Sequence, residues 1–336
     1  MKEFGTYQCL LTKDQLTGQV TCSIGHDSLE FNNDQGRTIL DFADLIDFRL
    51  PGYRILLTTT SGEVVLSELG HDTEAFFEQL WSAYMERSME SLFASGESLY
   101  SGEGDYDFSE QGDVQHGIAK IELLDDALIL CPHDHLGRRI PLCFIQDIVE
   151  ESYSITLILD TGDKYSLRRI GRDTMAVCEK IRKLRERILK QWQQAHRELN
   201  SHLEERLGEK ATSYRHMLDC GCQISAGLYR LDGDGFWFAG FKNGKAAVEL
   251  VTQEQTTTYL YTYDMVSHQA FEHSLRHAME SVGLHREVIF TEISDKPLYR
   301  MTVDRSYHLR FLREHNQGRI VHNTAWEKNI SAFFGC

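Results

Sequence analysis

The stretches LGHDTEAFFEQLW (residues 69–81) and IGRDTMAVCEKIR (residues 170–182) are two versions of one phrase. Each sets an apolar residue, a glycine, one variable residue and Asp-Thr directly before a helical pattern. Locally this is a helix start. Asp72 or Thr73 can accept from the amides of the first turn, which have no partner inside the helix. Ala75, Phe76, Leu80, Tyr84 and Met85 then share one predicted face, as do Val177, Cys178, Ile181, Leu184 and Ile188 in the second version.

Upstream of each phrase lies a matching series of strand patterns. TYQCLLT, GQVTCSI, SLEFNN, RTILDFADLIDFRL, YRILLTTT and EVVLSEL precede the first, with Ser61-Gly62 as a hairpin turn. GIAKIELL, ALILCP, RRIPLCFIQDIVEE, SITLILD and KYSLRRI precede the second, with Thr161-Gly162-Asp163 as the turn. Ile39 to Thr73 and Ile140 to Thr174 are equal in length, and this equality predicts a structural duplication.

Successive antiparallel strands closed by one C-terminal helix resemble the pleckstrin-homology-like (PH-like) barrel, in particular the divergent PH-like domains of bacterial proteins. The resemblance covers residues 5–94 and 115–192. It rests on strand order, spacing and the closing helix, with Trp81 lying inside that helix. It implies a mainly β, α+β chain: two PH-like barrels, each closed by a C-terminal helix, followed by a third α+β domain. The expected boundaries are residues 1–94 for the first barrel and 95–113 for an acidic Gly/Ser linker. Residues 114–208 are the second barrel with a long helix, and 209–336 the last domain, a possible diverged repeat. Tyr100, Tyr106 and Phe108 in the linker are candidates for docking onto a neighbouring domain or a partner.

In the last domain CQISAGLYRL, GFWFAGF, AAVELVT and TTTYLYTY read as strands and SHQAFEHSLRHAMESVG as a helix. HREVIFTEI, PLYRMTVDR and GRIVHN read as strands again, before a helix around AWEKNISAFF. The second closing helix carries apolar residues at 177, 181, 184, 188, 192, 195, 199, 203 and 207. The distal part of that stripe needs a covering surface, either within the chain or from a second copy through residues 174–207.

Hydrophobic content of 41% fits a globular protein of several domains. No apolar run suits a signal peptide or a membrane span, and the eight Cys show no disulfide-framework spacing, so a reducing, cytoplasmic location is expected. Of the net charge of −16, residues 1–112 carry 6 Lys/Arg against 20 Asp/Glu, which disfavours nucleic acid and suits a basic protein partner or solubility.

In PH-like domains that bind phosphoinositides, cations of the first strands meet the headgroup. The nearest approach is Lys120 with Arg138 and Arg139, and Arg168-Arg169 follow. Phe236, Trp237, Phe238 and Phe241, with Tyr259, Tyr261 and Tyr263, form an aromatic concentration that suits a core or a peptide groove. Cys131-Pro132-His133-Asp134-His135 and Cys220-Gly221-Cys222 lack the usual zinc spacing. His273 and His277, one helical turn apart, lack the Glu of H-E-x-x-H, so no metal and no cofactor is expected. No nucleophile elbow, phosphate loop or dinucleotide fingerprint is present.

The expected function is a non-enzymatic adaptor or scaffold that binds protein partners through the barrels and the C-terminal domain. Paired PH-like barrels with acidic surfaces also serve as histone chaperones. The alternatives are membrane recruitment through Lys120, Arg138 and Arg139, or an enzyme centred on residues 209–336.

Overall fold

The computed structural model describes residues 5–13, 16–94, 96–133, 136–171, 174–201, 205, 212–228, 236–251, 256–263, 266–282 and 285–336. The chain is α+β with large antiparallel sheets and divides into two units. Met1–Arg182 with Ile293–Arg305 form the first; Lys183–Glu292 with Ser306–Cys336 form the second.

The first unit holds the duplication. Strands β1 (Thr6–Lys13), β2 (Leu16–Ile24), β3 (Ser28–Asn33), β4 (Gly36–Asp41), β5 (Leu45–Arg49), β6 (Ile55–Thr59) and β7 (Gly62–Ser67) precede helix α1 (Thr73–Ser91). Strands β8 (Tyr100–Glu110), β9 (Asp113–Leu123), β10 (Ala127–Pro132), β11 (Arg138–Pro141), β12 (Ile145–Glu151), β13 (Ser154–Leu159) and β14 (Lys164–Arg168) precede α2 (Thr174–Ser201). The sheet orders are β4-β3-β2-β1-β7-β6-β5 and β11-β10-β9-β8-β14-β13-β12, the same topology twice. A short 3-10 turn separates the fourth and fifth strands of each copy, and the register slips between Leu45/Asp47 and between Ile145/Asp147.

The doubled phrase is the corner that turns the last strand into the closing helix. Glu68 and Arg169 take left-handed backbone (φ 62° and 57°), and so do Gly70 and Gly171 (φ 62° and 76°). The hydroxyl of Thr73 donates to the Gly70 carbonyl at 2.8 Å, and Thr174 donates to Gly171 at 3.0 Å. This corrects the expected cap: Thr73 gives a proton to the corner, and Asp72 makes no side-chain cap bond. The buried face of α1 is Thr73, Phe76, Leu80, Ala83 and Tyr84, while Ala75 is exposed.

Two further expectations change. The 3-10 turns and register slips pair Asp41 with Pro141, so Leu40 matches the buried Ile140 and the exposed Ile39 matches Arg139. From there to the closing helix the second copy is one residue longer, and the extra residue sits in its turn 160–163. The run 95–113 is no linker, because most of it is strand β8. Its acids alternate with core residues: Tyr106 and Phe108 are buried, while Asp105 and Asp107 pair with Arg169 and Arg168 across to β14. Polar composition hid a strand that is wet on one face only.

Helix α6 (Pro297–Asp304) belongs to the first unit, although residues 293–305 were expected in the last domain. Met301 enters the first copy's core. Arg300 pairs with Asp44 at 2.7 Å and Asp41 at 3.1 Å, and Thr302 donates to the Ser91 carbonyl at 2.7 Å. The buried Arg305 guanidinium, just beyond the helix, donates to the Tyr84 hydroxyl and Ser88 Oγ, both at 3.1 Å.

The second unit is a five-stranded antiparallel meander: β15 (Gln223–Leu228), β16 (Phe236–Lys242), β17 (Lys245–Val251), β18 (Thr257–Thr262) and β19 (Asn316–Val321). One face packs on α3 (Thr212–Asp219) and α8 (Trp326–Phe334) through Met217, Ile330 and Phe334, joined by Leu199 of α2. Trp192 and Ala195 pack there too, so the chain itself covers that part of the long stripe; residues 203 and 207 lie outside the described residues. The other face packs on α4 (His268–Val282), with Phe271 reached by Phe241, Tyr261 and Tyr263. HREVIFTEI and PLYRMTVDR are not strands. They form the short helix α5 (Glu287–Phe290) and α6, the latter with Pro at its start, and α7 (Tyr307–His315) follows. Their β-branched residues raised a strand signal that burial in helical form overrides. Cys220 and Cys336 form a disulfide across 116 residues of sequence, unlike the free thiols expected of a reducing compartment. No helix among the described residues is long and apolar enough to cross a membrane.

At Gly70 an added Cβ would meet nothing within 4 Å, so Ala there changes the backbone cost alone. Gly70→Ala is expected to lower stability by about 1 kcal/mol, and Gly171→Ala by the same amount, in urea denaturation. Unchanged midpoints would show that the corner does not need left-handed backbone. Arg305→Met strips charged hydrogen bonds from a buried site and should cost about 2 kcal/mol in the same measurement.

Candidate functional site

The predicted cations do not share a mouth. Lys120 on β9 reaches Glu122 at 3.3 Å. Arg138 on β11 is nearly buried, pairs with Glu110 at 2.7 Å and lies over the Phe108 ring at 5.0 Å. Arg139 pairs with Asp126 at 2.5 Å and donates to the Leu92 and Phe93 carbonyls at 3.3 and 3.1 Å. Arg138 and Arg139 are sequential on one strand and therefore point to opposite faces. Each cation is matched by a carboxylate of its own copy.

The predicted aromatic face is interior. Phe236, Trp237, Phe238 and Tyr261 are buried, and Tyr259 stacks on Phe290 with ring centres 4.0 Å apart. Gly227 faces Trp237 across the β15–β16 pair, and a Cβ there would lie 2.6 Å from the indole, so the glycine is room for the ring. The sheet is covered on both faces, which an aromatic count in sequence cannot reveal.

One open surface lies in the second copy. β12 ends the sheet order, so its outer edge faces no further strand among the described residues. Between its hairpin and the start of α2 runs a groove of about 940 Å³, lined by Glu150, Glu151, Tyr153, Thr174, Met175 and Arg182, among others. Tyr153 and Met175 stand 77% and 74% exposed, and Tyr53 at the matching place of the first copy's hairpin is exposed to the same 77%. Arg182 of α2 fixes one wall by pairing with Glu150 at 2.7 Å. Burial first, and then the Glu150 carboxylate, push the Cys178 thiol up to about 11, so it is a packed side chain and not a nucleophile. The groove therefore offers strand edge, apolar anchors and carboxylates. Sequence reasoning missed it because the hairpin and helix that form it lie about twenty residues apart.

The second unit contains a buried polar cluster. Glu249 on β17 accepts from Ser213 Oγ and, at 3.3 Å, from Thr258 Oγ1. His322 Nε2 lies 2.8 Å from Thr258 Oγ1 and 3.5 Å from the Glu249 carboxylate, and its ring stacks on Trp326. Ser213 is fully buried and bonds the carboxylate rather than the imidazole, so the cluster lacks a nucleophile–base relay. The unit's groove of about 490 Å³, lined by Gln223, Phe241, Lys242, Tyr263 and His268 among others, includes none of these residues. His273 and His277 lie on α4, and α7 adds His308, which the sequence pattern could not connect to them. Burial first, then the two imidazoles, pull His308 down to about 2.

Burial outweighs the pull of the Ser213 and Thr258 hydroxyls and pushes Glu249 up to about 7, from an ordinary 4.5. Burial also lowers His322, so it is no fixed counter-charge. The folded state binds the Glu249 proton more tightly, and stability falls as pH rises from about 4.5 through 7. Glu249→Gln should be the more stable protein above about pH 7, by at most about 3 kcal/mol, with the advantage gone below about pH 4.5. Urea denaturation at both ends of that range checks it, and equal pH dependence in the two proteins refutes it.

No family model and no curated protein matches this chain. Among solved structures, the Spt16D Pob3N heterodimer is similar to it at 16% sequence identity over 48% of this chain and 86% of that one, with a TM-score of 0.21.

Proposed function

We propose that this chain is a non-enzymatic binding protein: two PH-like barrels and a third α+β domain, in which the second barrel captures an extended, basic segment of a protein partner. The observation that carries this reading is the open β12 edge beside the exposed Met175 and Tyr153. An added strand satisfies the edge's backbone groups, and its alternate side chains reach the groove. Glu150 and Glu151, and the acidic excess of residues 1–112, favour cations on the incoming segment. Membrane recruitment is the weaker reading, because Lys120, Arg138 and Arg139 each face a carboxylate.

The test uses fluorescence anisotropy with two labelled peptides, one alternating Lys with Val and the other alternating Glu with Val. The basic peptide is expected to bind, more weakly as salt rises, and the acidic one not to bind. Met175→Asp and Tyr153→Ser should each weaken binding about tenfold, or ~1.4 kcal/mol. Equal affinity for both peptides, or none lost in these variants, overturns the reading. Flotation with phosphoinositide vesicles that disappears in Lys120→Glu would move the assignment to the membrane.

A further inference from the structure

Residues 1–182 supply both sheets of the first unit, and the chain returns to it once, with Ile293–Arg305, to lay α6 against the first copy. A helix of eight residues is marginal alone in water, so α6 owes its form to the surface it docks on. Much of that docking is polar. Arg300, Thr302 and Arg305 donate to the first copy. The groups that meet them are the Asp41 and Asp44 carboxylates, the Ser91 carbonyl, and the hydroxyl oxygens of Tyr84 and Ser88. The Arg305 guanidinium also lies over the Tyr84 ring, 5.9 Å from its centre. Met301 adds the apolar anchor. An apolar anchor flanked by arginines in charge-assisted hydrogen bonds is the composition of a protein–protein interface rather than of a domain core.

The lining also selects its occupant. Burial first, and then the neighbouring Asp44, push the Asp41 carboxyl above its ordinary value, and the Arg300 guanidinium opposes them. Without α6 this groove presents two adjacent carboxylates, a carbonyl and two hydroxyls, with no cation among them. A guanidinium is their complement, because it offers several donors in a fixed fork and keeps its charge when buried.

We propose that this groove of the first copy is a recognition site for an arginine-bearing helical segment of a partner protein, and that α6 occupies it in cis as a built-in competitor. The partner segment repeats the order of α6: an arginine, an apolar residue, a small hydroxyl residue, and a second arginine three residues further on. The partner binds only molecules in which α6 has lifted, which makes the α6 contact autoinhibitory. The groove belongs to the first copy and does not depend on the β12 edge of the second.

The experiment is fluorescence anisotropy of the full-length protein with a labelled peptide of residues 294–306. The double variant Arg300→Glu/Thr302→Glu sets carboxylates against Asp44 and the Ser91 carbonyl, so α6 undocks while the groove stays unaltered. This variant is expected to bind the peptide. A groove open about 1% of the time in the unaltered protein makes its binding about a hundredfold weaker. Adding Asp41→Asn and Asp44→Asn to the opened variant should weaken binding about tenfold, and a peptide with glutamine at both arginines should not compete. Circular dichroism verifies that each variant is folded. Hydrogen exchange in isotope-labelled, unaltered protein supplies a readout that needs no variant. Excess peptide should speed exchange of the α6 amides, because a captured groove keeps α6 lifted, and the glutamine peptide should not. Absence of binding to the folded opened variant, binding indifferent to Asp41 and Asp44, or α6 exchange that the arginine peptide leaves unchanged overturns the inference.

Discussion

The first unit depends on a helix buried on more than one side. Phe76, Leu80 and Tyr84 of α1 plug the first sheet, while Leu124, Ala127, Ile129 and Cys131 around β10 of the second copy and Met301 of α6 join the same core. Such a helix cannot show a clean apolar stripe, because its far side is also covered. Small polar residues solve the crowding there. Ser88 and Ser91 let α6 approach closely, and they supply the oxygens that the Arg305 guanidinium and the Thr302 hydroxyl need. A buried guanidinium without such acceptors would be severely destabilising. The position of α6 therefore follows from polar satisfaction as much as from apolar area.

The duplication was legible because it is written in local chemistry. A left-handed residue, a left-handed glycine and a threonine that bonds back to it recur at both corners. Strand patterns with one dry face were equally readable. β8 was not, since Glu103, Asp105 and Asp107 give it the composition of a linker. Its acids are cross-strand partners for Arg168 and Arg169, a relation that exists only once β14 lies beside it. The extra residue in the second copy's turn was hidden by aligning Ile39 with Ile140, where burial distinguishes them and sequence does not.

Long-range arrangement set the limit elsewhere. α6 follows the last domain's α5 in sequence and packs in the first unit; no periodicity in PLYRMTVDR encodes that. The aromatic runs of β16 and β18 were visible, but whether such runs face solvent or a second layer depends on helices supplied from distant segments. His308 joins His273 and His277, and Cys336 joins Cys220, for the same reason. Of the candidate sites, the residue types were legible and their neighbours were not.

The two copies differ in how this region is lined. At matching places the first copy has Leu50, Pro51 and Tyr53 on its hairpin and Glu74 on its helix. The second has Glu150, Glu151 and Tyr153 on the hairpin and Met175 on the helix. Two turns further along, Trp81 of the first helix packs on His133 of the second copy, with ring centres 4.9 Å apart, whereas Arg182 of the second helix returns to Glu150 of its own hairpin. The first helix uses its surface to hold the unit together. In the second copy the helix start carries the exposed Met175, where the first copy has Glu74; the edge strands β5 and β12 end their sheets alike.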